Sequence, residues 1–298
     1  MEFNIDKDRS VTSCIKASSL WMFNHLKTTL KQLSIMAAIW SVFMTMTTYF
    51  FLPNKHLHDW GIEHPLAAFI VQTIVYAGCI FAWGSWIATI YHYLKPQRWQ
   101  RLLLHLCQWL LCGVCCGVIW WIGMRGASIA SSHFISSGSI WPMLLTCIVY
   151  LLVAAIGLFT SLPLVYLLPY FLLRPEYQTM DLWQEIKISI RYWGRLLTMT
   201  IVIGLIAGIL LFIAYLPATI LSLYRTYAQI GLIEGDEIDT TTLFYHLLIP
   251  MLFLGYFLSS YIIVYIQVNY AYLYGAITCK EKAKHQLKQH ETDQDTIH

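Results

Sequence analysis

Long apolar runs alternate with short polar stretches along the whole chain, and the apolar runs predict helices that cross a membrane. About 20 residues rising 1.5 Å each cross a hydrocarbon core. The first such run covers about 34–52 and stops at Pro53. The second covers about 66–93 and is broken by Lys95 and Pro96. A third, about 102–123, leads into a Ser-rich loop, and a fourth, about 141–173, contains Pro163 and Pro169. Each of those prolines removes a helical donor and crowds the preceding turn, so a kink or an early end is expected there.

The stretch after Tyr177 changes period. Leu182, Trp183, Ile186, Ile190, Trp193 and Leu197 recur at helical spacing, with Arg191 and Arg195 one turn apart. This predicts an amphipathic surface helix that feeds a fifth span, about 196–216, ending before Pro217. An acidic loop follows. The sixth span is expected within 250–276, since 243–276 is too long for one crossing and Pro250 can separate a turn from the span. The expected architecture is all-α, a six-helix polytopic bundle with cytoplasmic amphipathic helices. Residues 1–279 form a single membrane domain and 280–298 a charged cytoplasmic tail that frays.

Composition supports the class. Of 298 residues, 58% are hydrophobic and 12% charged, and the mean hydropathy is +0.58. Soluble domains carry about 25% charged residues. The net charge of +3 is too small to suggest nucleic acid. The start of the chain lacks the basic start and short apolar core of a secretory signal, so the N-terminus is expected to remain.

The distribution of charge orients the bundle. With both termini in the cytoplasm, 16 of the 19 Lys and Arg fall on the cytoplasmic side. Lys55, Arg125 and Arg225 fall in outer loops. The positive-inside rule reads this split as six crossings. Trp60, Trp99, Trp120, Trp121 and Trp141 fall near predicted interfaces, where an aromatic belt is favoured.

Candidate chemistry is sparse. No Asp, Glu, Lys or Arg is placed inside a predicted span, which counts against a proton-coupled carrier. No catalytic constellation is recognisable, and no cofactor is implied. His56, His58 and His64, with Asp59 and Glu63, crowd the first outer loop. These are ligand types for zinc or copper, although a solvated loop before a helix start at Pro65 carries the same residues. Cys107, Cys112, Cys115 and Cys116 lie in the third span, and Cys112 and Cys115 form a lone C-x-x-C. It lacks the second half of a zinc site, and buried cysteine behaves as a small hydrophobe.

Small residues four apart let helix backbones approach in lipid. Gly113 and Gly117, and Gly204 and Gly208, have that spacing and are expected to pack the bundle; Gly78 and Ala82 do the same in the second span. Trp83 and Trp86 lie deep in the second span. Tyr256, Tyr261, Tyr265 and Asn269, with Tyr270 and Gln267, are read as a polar aromatic side of the sixth. Together they could line a cavity for a lipid or aromatic ligand, or serve as ordinary interhelical packing.

An offset of 164 residues lays Lys27 and Lys31 on Arg191 and Arg195, and Leu52 and Pro53 on Leu216 and Pro217. That suggests duplicated helix pairs, although identity between the copies is near chance and bases precede every outward span in any case.

The segment RYWGRLLTMTIVIG, following SLPLVYLLPYFLLRPEY, resembles a group of uncharacterised bacterial six-span membrane proteins. These are in turn similar to the membrane domain fused to some glycerophosphodiester phosphodiesterases. The resemblance carries over no catalytic residue and implies a bacterial inner-membrane location. Two functional classes follow. One is a non-enzymatic membrane protein that binds lipids or supports a membrane-protein partner or homo-oligomer. The other is a small transporter for an uncharged or amphipathic solute. A membrane-bound enzyme would require the outer histidines to meet other polar groups in one pocket.

Overall fold

The computed structural model describes residues 7–51, 63–96, 99–100, 103–104, 106–111, 114, 118, 140–173, 182–234 and 242–295. Every regular element among them is an α-helix: α1 (Val11–Phe51), α2 (Pro65–Leu94), α3 (Ile140–Leu173), α4 (Leu182–Arg191), α5 (Trp193–Glu234) and α6 (Thr242–Asp295). The third predicted span lies largely outside the described residues; 106–111 within it are helical. Four helical stretches among the described residues are long and apolar enough to cross a membrane: Val11–Tyr49, Pro65–Leu94, Trp193–Ala228 and Leu247–Leu287.

The helices outrun the expected spans for identifiable reasons. No Gly or Pro interrupts 11–51, so the lead-in and first span form one 41-residue helix. At 1.5 Å per residue it is about 60 Å long, twice the hydrocarbon core. Ser10 caps it by accepting the Ser13 N–H at 3.3 Å on its Oγ. Helix α2 begins at Pro65, where the missing N–H costs nothing, and the His64 carbonyl accepts the Ala68 N–H at 3.0 Å.

The prolines do not end their helices. Pro163 and Pro169 lie inside α3, Pro217 inside α5 and Pro250 inside α6. In an apolar solvent a broken helix leaves backbone groups without partners, so the helix continues past the lost donor. Beside Pro169, the Trp109 indole donates to the Leu164 carbonyl at 2.9 Å. Lys95 Nζ donates to the Leu173 carbonyl at 3.1 Å, capping the last residue of α3.

Two expectations are corrected by these lengths. Arg225 is not in a loop: α5 passes Leu216 and runs to Glu234, placing Arg225 on the helix with 3% of its surface exposed. The segment after 279 does not fray at once. It continues α6 to Asp295, because 277–295 holds neither Gly nor Pro and is rich in Lys, Glu and Gln.

The chain divides into two compact units. One holds residues 15–94 and 201–269; the other holds 2–14, 95–200 and 270–298.

In the first unit, Ser18 on α1 bonds to Asn269 on α6, and Thr48 on α1 bonds to Tyr256 on α6. A straight helix would put about 45 Å between Ser18 and Thr48, whereas Tyr256 and Asn269 stand about 20 Å apart. Two fully stretched side-chain bridges add at most about 20 Å. Helix α1 therefore bends between the contacts. Ser41 Oγ donates back to the Ala37 carbonyl at 2.6 Å and Thr47 Oγ1 to the Phe43 carbonyl at 2.8 Å, a pattern that bends helices.

In the second unit, α4 packs against α3. One residue, Tyr192, separates α4 from α5. Its N–H donates to the Ile188 carbonyl at 3.0 Å, and its carbonyl accepts from Arg195 and Leu196.

Large apolar side chains cover the outside of the span helices. Phe69, Ile74 and Phe81 on α2, and Ile201, Leu205, Ile209, Phe212 and Ile213 on α5, are all more than half exposed. A surface of this extent suits lipid rather than water. The helices are those of a multi-pass membrane protein.

Candidate functional site

Two polar constellations stand out, one in each unit. In the first unit α6 is joined to α1 and α2 by hydroxyl and amide groups. Asn269 is fully buried, bonds to Ser18 at 2.5 Å and donates from Nδ2 to the Tyr265 carbonyl at 2.8 Å. The Tyr265 hydroxyl meets Ser19 Oγ at 3.1 Å, and Tyr91 donates to Gln267 Oε1 at 3.0 Å. Thr29 meets the Tyr93 hydroxyl at 3.2 Å, tying α1 to α2. Further along, Tyr256 stacks edge-on with Trp40 and Tyr215, and Tyr215 meets Ser259 Oγ at 2.9 Å.

Of the expected cavity residues Trp83, Trp86, Tyr256, Tyr261, Tyr265 and Asn269, three bond to another helix. Tyr256, Tyr265 and Asn269 each bond to α1, which is the packing role. The six are not one cluster, since Tyr256 and Asn269 are about 20 Å apart along α6. Nor do the tyrosines share one side. At 100° per residue Tyr256 projects opposite Tyr265, with Tyr261 and Asn269 on the Tyr265 side. Tyr261 packs edge-on against Phe257, Trp86 is fully buried and Trp83 half-buried.

Among the described residues, Trp40 Nε1, Thr45 Oγ1, Trp86 Nε1 and Tyr261 OH are buried without a hydrogen-bond partner. All four belong to the first unit.

The glycines sort differently from their sequence spacing. A Cβ built at Gly204 or Gly208 meets nothing within 4 Å. Both lie on the exposed side of α5, and among the described residues this G-x-x-x-G brings no second backbone close. A Cβ at Gly78 would stand 3.1 Å from the Phe43 ring, a contact with a side chain rather than the expected approach of a backbone. Gly255, which the spacing did not mark, is tighter still, with 3.0 Å to the Tyr215 ring and 3.5 Å to the Ala214 carbonyl. Gly113 and Gly117 lie outside the described residues.

In the second unit Glu281 collects three donors. Tyr192 OH donates to Oε1 at 2.7 Å, Lys284 Nζ to Oε1 at 3.1 Å and Arg191 Nη1 to Oε2 at 3.0 Å. Lys284 also reaches the Tyr192 oxygen at 3.0 Å. This network lies in the charged C-terminal part of α6, past the expected span of 250–276. Burial opposes the charge on Glu281, but the bonds from Tyr192 and Lys284 and the charges of Lys284 and Arg191 outweigh it. The carboxyl is held below the usual carboxylate range. The bond to Tyr192, then that to Glu281, raises Lys284 above the usual lysine range.

Nearby, Tyr166 is buried and donates to Glu185 at 3.3 Å, and its ring leans on Tyr274. Nothing in the sequence marks Tyr192 and Glu281 as partners across 89 residues. The spacing of Glu281 and Lys284 was the one local hint, and it has meaning only on a helix.

Of the outer-loop histidines, His56 and His58 lie outside the described residues. His64 is exposed at the start of α2. No group of three metal-ligating side chains occurs among the described residues. Cys112, Cys115 and Cys116 are likewise outside them; Cys107 is exposed and free. Trp60, Trp120 and Trp121 fall outside too, while Trp99 is 46% exposed.

Arg225 is a site residue that the sequence reading missed. Its guanidinium lies 4.2 Å from the centre of the Tyr49 ring, within the first unit. Eight residues past Pro217, in a run that stays largely apolar, it could have been recognised by reading the helix through the proline.

Comparison with known proteins gives no match to a family model, to a curated protein or to a solved structure.

Proposed function

We propose that the chain is a non-enzymatic, six-span protein of a bacterial inner membrane. Both termini are cytoplasmic, 1–279 is the membrane domain, and the protein binds lipids or supports a membrane-protein partner or homo-oligomer. The observation that carries this reading is the use of the polar groups inside the first unit. Ser18, Ser19, Tyr91, Tyr265, Gln267 and Asn269 are bonded helix to helix. Polar side chains used this way hold helices together in lipid, where apolar contact alone gives no drive for association. The third and fourth spans at 102–123 and 141–173, the 16-to-3 split of basic residues and the resemblance to bacterial six-span proteins support the count and the location.

Native mass spectrometry of the protein released from a mild detergent tests the role. Retained phospholipid or a second protein chain is the expected result. A stoichiometric small solute without lipid would reject it.

A second reading, a carrier for an uncharged or amphipathic solute, is favoured by the buried indole and hydroxyl groups of Trp40, Thr45, Trp86 and Tyr261. A solute with hydrogen-bonding groups would satisfy them, since such groups are costly to leave unpaired in an apolar interior. Uptake into proteoliposomes that is lost in Trp86→Phe and Tyr261→Phe would establish it.

A further inference from the structure

One face of helix α4 is committed to the protein. Ser189 is buried, and Glu185 accepts the Tyr166 hydroxyl of α3. The opposite face holds Trp183, 66% exposed, and Ile190, 46% exposed. Seven residues apart, they lie on one side of the helix, about 10 Å from each other. Lys187 stands between them with its ammonium 5.4 Å from the centre of the Trp183 ring. Arg191 follows one turn on. Its side chain keeps 59% of its surface exposed while Glu281 takes one of its nitrogens. Among the described residues this face carries two cations, two large apolar groups and no acid.

Water does not favour an exposed indole beside an exposed isoleucine. A bilayer interface does, because Trp places its ring at headgroup depth while Lys and Arg reach phosphate. The location agrees: α5, a candidate span, begins at Trp193, two residues after α4 ends.

We propose that the outward face of α4 lies on the cytoplasmic bilayer surface and binds anionic phospholipid. Trp183 and Ile190 enter the headgroup boundary, and Lys187 and Arg191 engage lipid phosphate. The proposal rests on the membrane-spanning reading above and assigns a lipid class and a site within it. Glu281 supports the site from behind: it orients the Arg191 guanidinium, whose five N–H donors leave others to face lipid. The helix then acts as a collar at the entry of α5, with its depth set by the indole and its lipid preference by the two cations.

The test uses the full-length protein in nanodiscs of equimolar phosphatidylglycerol and phosphatidylcholine. Bromine is carried on the upper acyl chain of one lipid or of the other. Trp183 emission is read as the difference between the protein and its Trp183→Phe variant. Quenching by the brominated anionic lipid is expected to exceed that by the zwitterionic one about fivefold or more, and Lys187→Gln to lower the ratio about fivefold, the factor one cation contributes at an anionic surface. Equal quenching by the two lipids would overturn the anionic preference. Absence of quenching by either, as when a partner protein covers the face, would overturn the site. Alkaline carbonate extraction separates these failures from that of the spanning reading: a protein retained in the membrane with Trp183 unquenched rejects this site alone, and an extracted protein rejects both.

Discussion

Tyr192 donates its hydroxyl hydrogen to Glu281 at 2.7 Å, joining the single residue between α4 and α5 to the charged end of α6. Arg191 and Lys284 converge on the same carboxylate, so one nearly buried anion orders three donors. A carboxylate that accepts charge-assisted bonds is difficult to replace, because its removal leaves the donors without a partner.

Glu281→Gln is expected to lower stability by about 2 kcal/mol, the scale of hydrogen bonds to a charged group. Differential scanning fluorimetry in detergent would register this as a fall of several degrees. The pH dependence has a definite sign. Glu281 is held below its ordinary range, so its contribution is present above about pH 4 and is lost as pH falls through the lowered value. Lys284 is raised, so its contribution is present below about pH 10 and is lost as pH rises through the raised value. Wild type and Glu281→Gln should differ by a constant amount between pH 6 and 9, both round figures set by those about-four and about-ten limits, and converge in acid. A gap that persists unchanged at pH 3, about one unit below the ordinary carboxylate value, would rule out the network as its source.

Gly255→Ala places a methyl group against the Tyr215 ring at 3.0 Å, and Tyr215 is itself held by Ser259 and Tyr256. Overpacking of this kind costs about 1–3 kcal/mol. Gly208→Ala meets open space and should leave the melting temperature nearly unchanged. Equal effects of the two substitutions would show that contact with Tyr215 is not what distinguishes them.

Ser18 and Asn269 should couple. A double-mutant cycle with Ser18→Ala and Asn269→Leu is expected to give an interaction energy of about 0.6 kcal/mol, and no more than about 1.7, as for other hydrogen bonds between helices in membranes. Additive effects would mean that the pair does not stabilise the packing of α1 on α6.

Arg225 over Tyr49 is a stacking contact, and the ring rather than the hydroxyl should matter. Tyr49→Phe is expected to preserve stability, and Tyr49→Ala to lower it by about 2 kcal/mol, the scale of a desolvated cation–π pair. Arg225→Lys should not replace arginine, because an ammonium lacks the planar face that stacks. Equal melting temperatures for Tyr49→Phe and Tyr49→Ala would exclude the contact as a source of stability.

The sequence by itself determined the class and the places where helices form. Apolar runs such as 66–93 are helical because lipid offers no partner to a backbone group, so every N–H and C=O must pair within its own segment. The amphipathic period of 182–191 was equally legible, since it depends only on residues a turn apart. Helix ends were less so. Pro217 read as the end of one span and Pro250 as a break before another, but the same demand for internal pairing carries α5 and α6 through them, and Arg225 moves from a loop to a buried place on a helix. What only the tertiary structure decided was partnership. Gly204 and Gly255 are equally small, yet among the described residues only Gly255 of the two has a neighbour at its Cβ. Tyr256 and Tyr265 bond to distant points on a bent α1, which their spacing along α6 does not reveal. Hydropathy is a property of single residues and their near neighbours, whereas a hydrogen bond across 89 or 251 positions depends on how helices are placed in space.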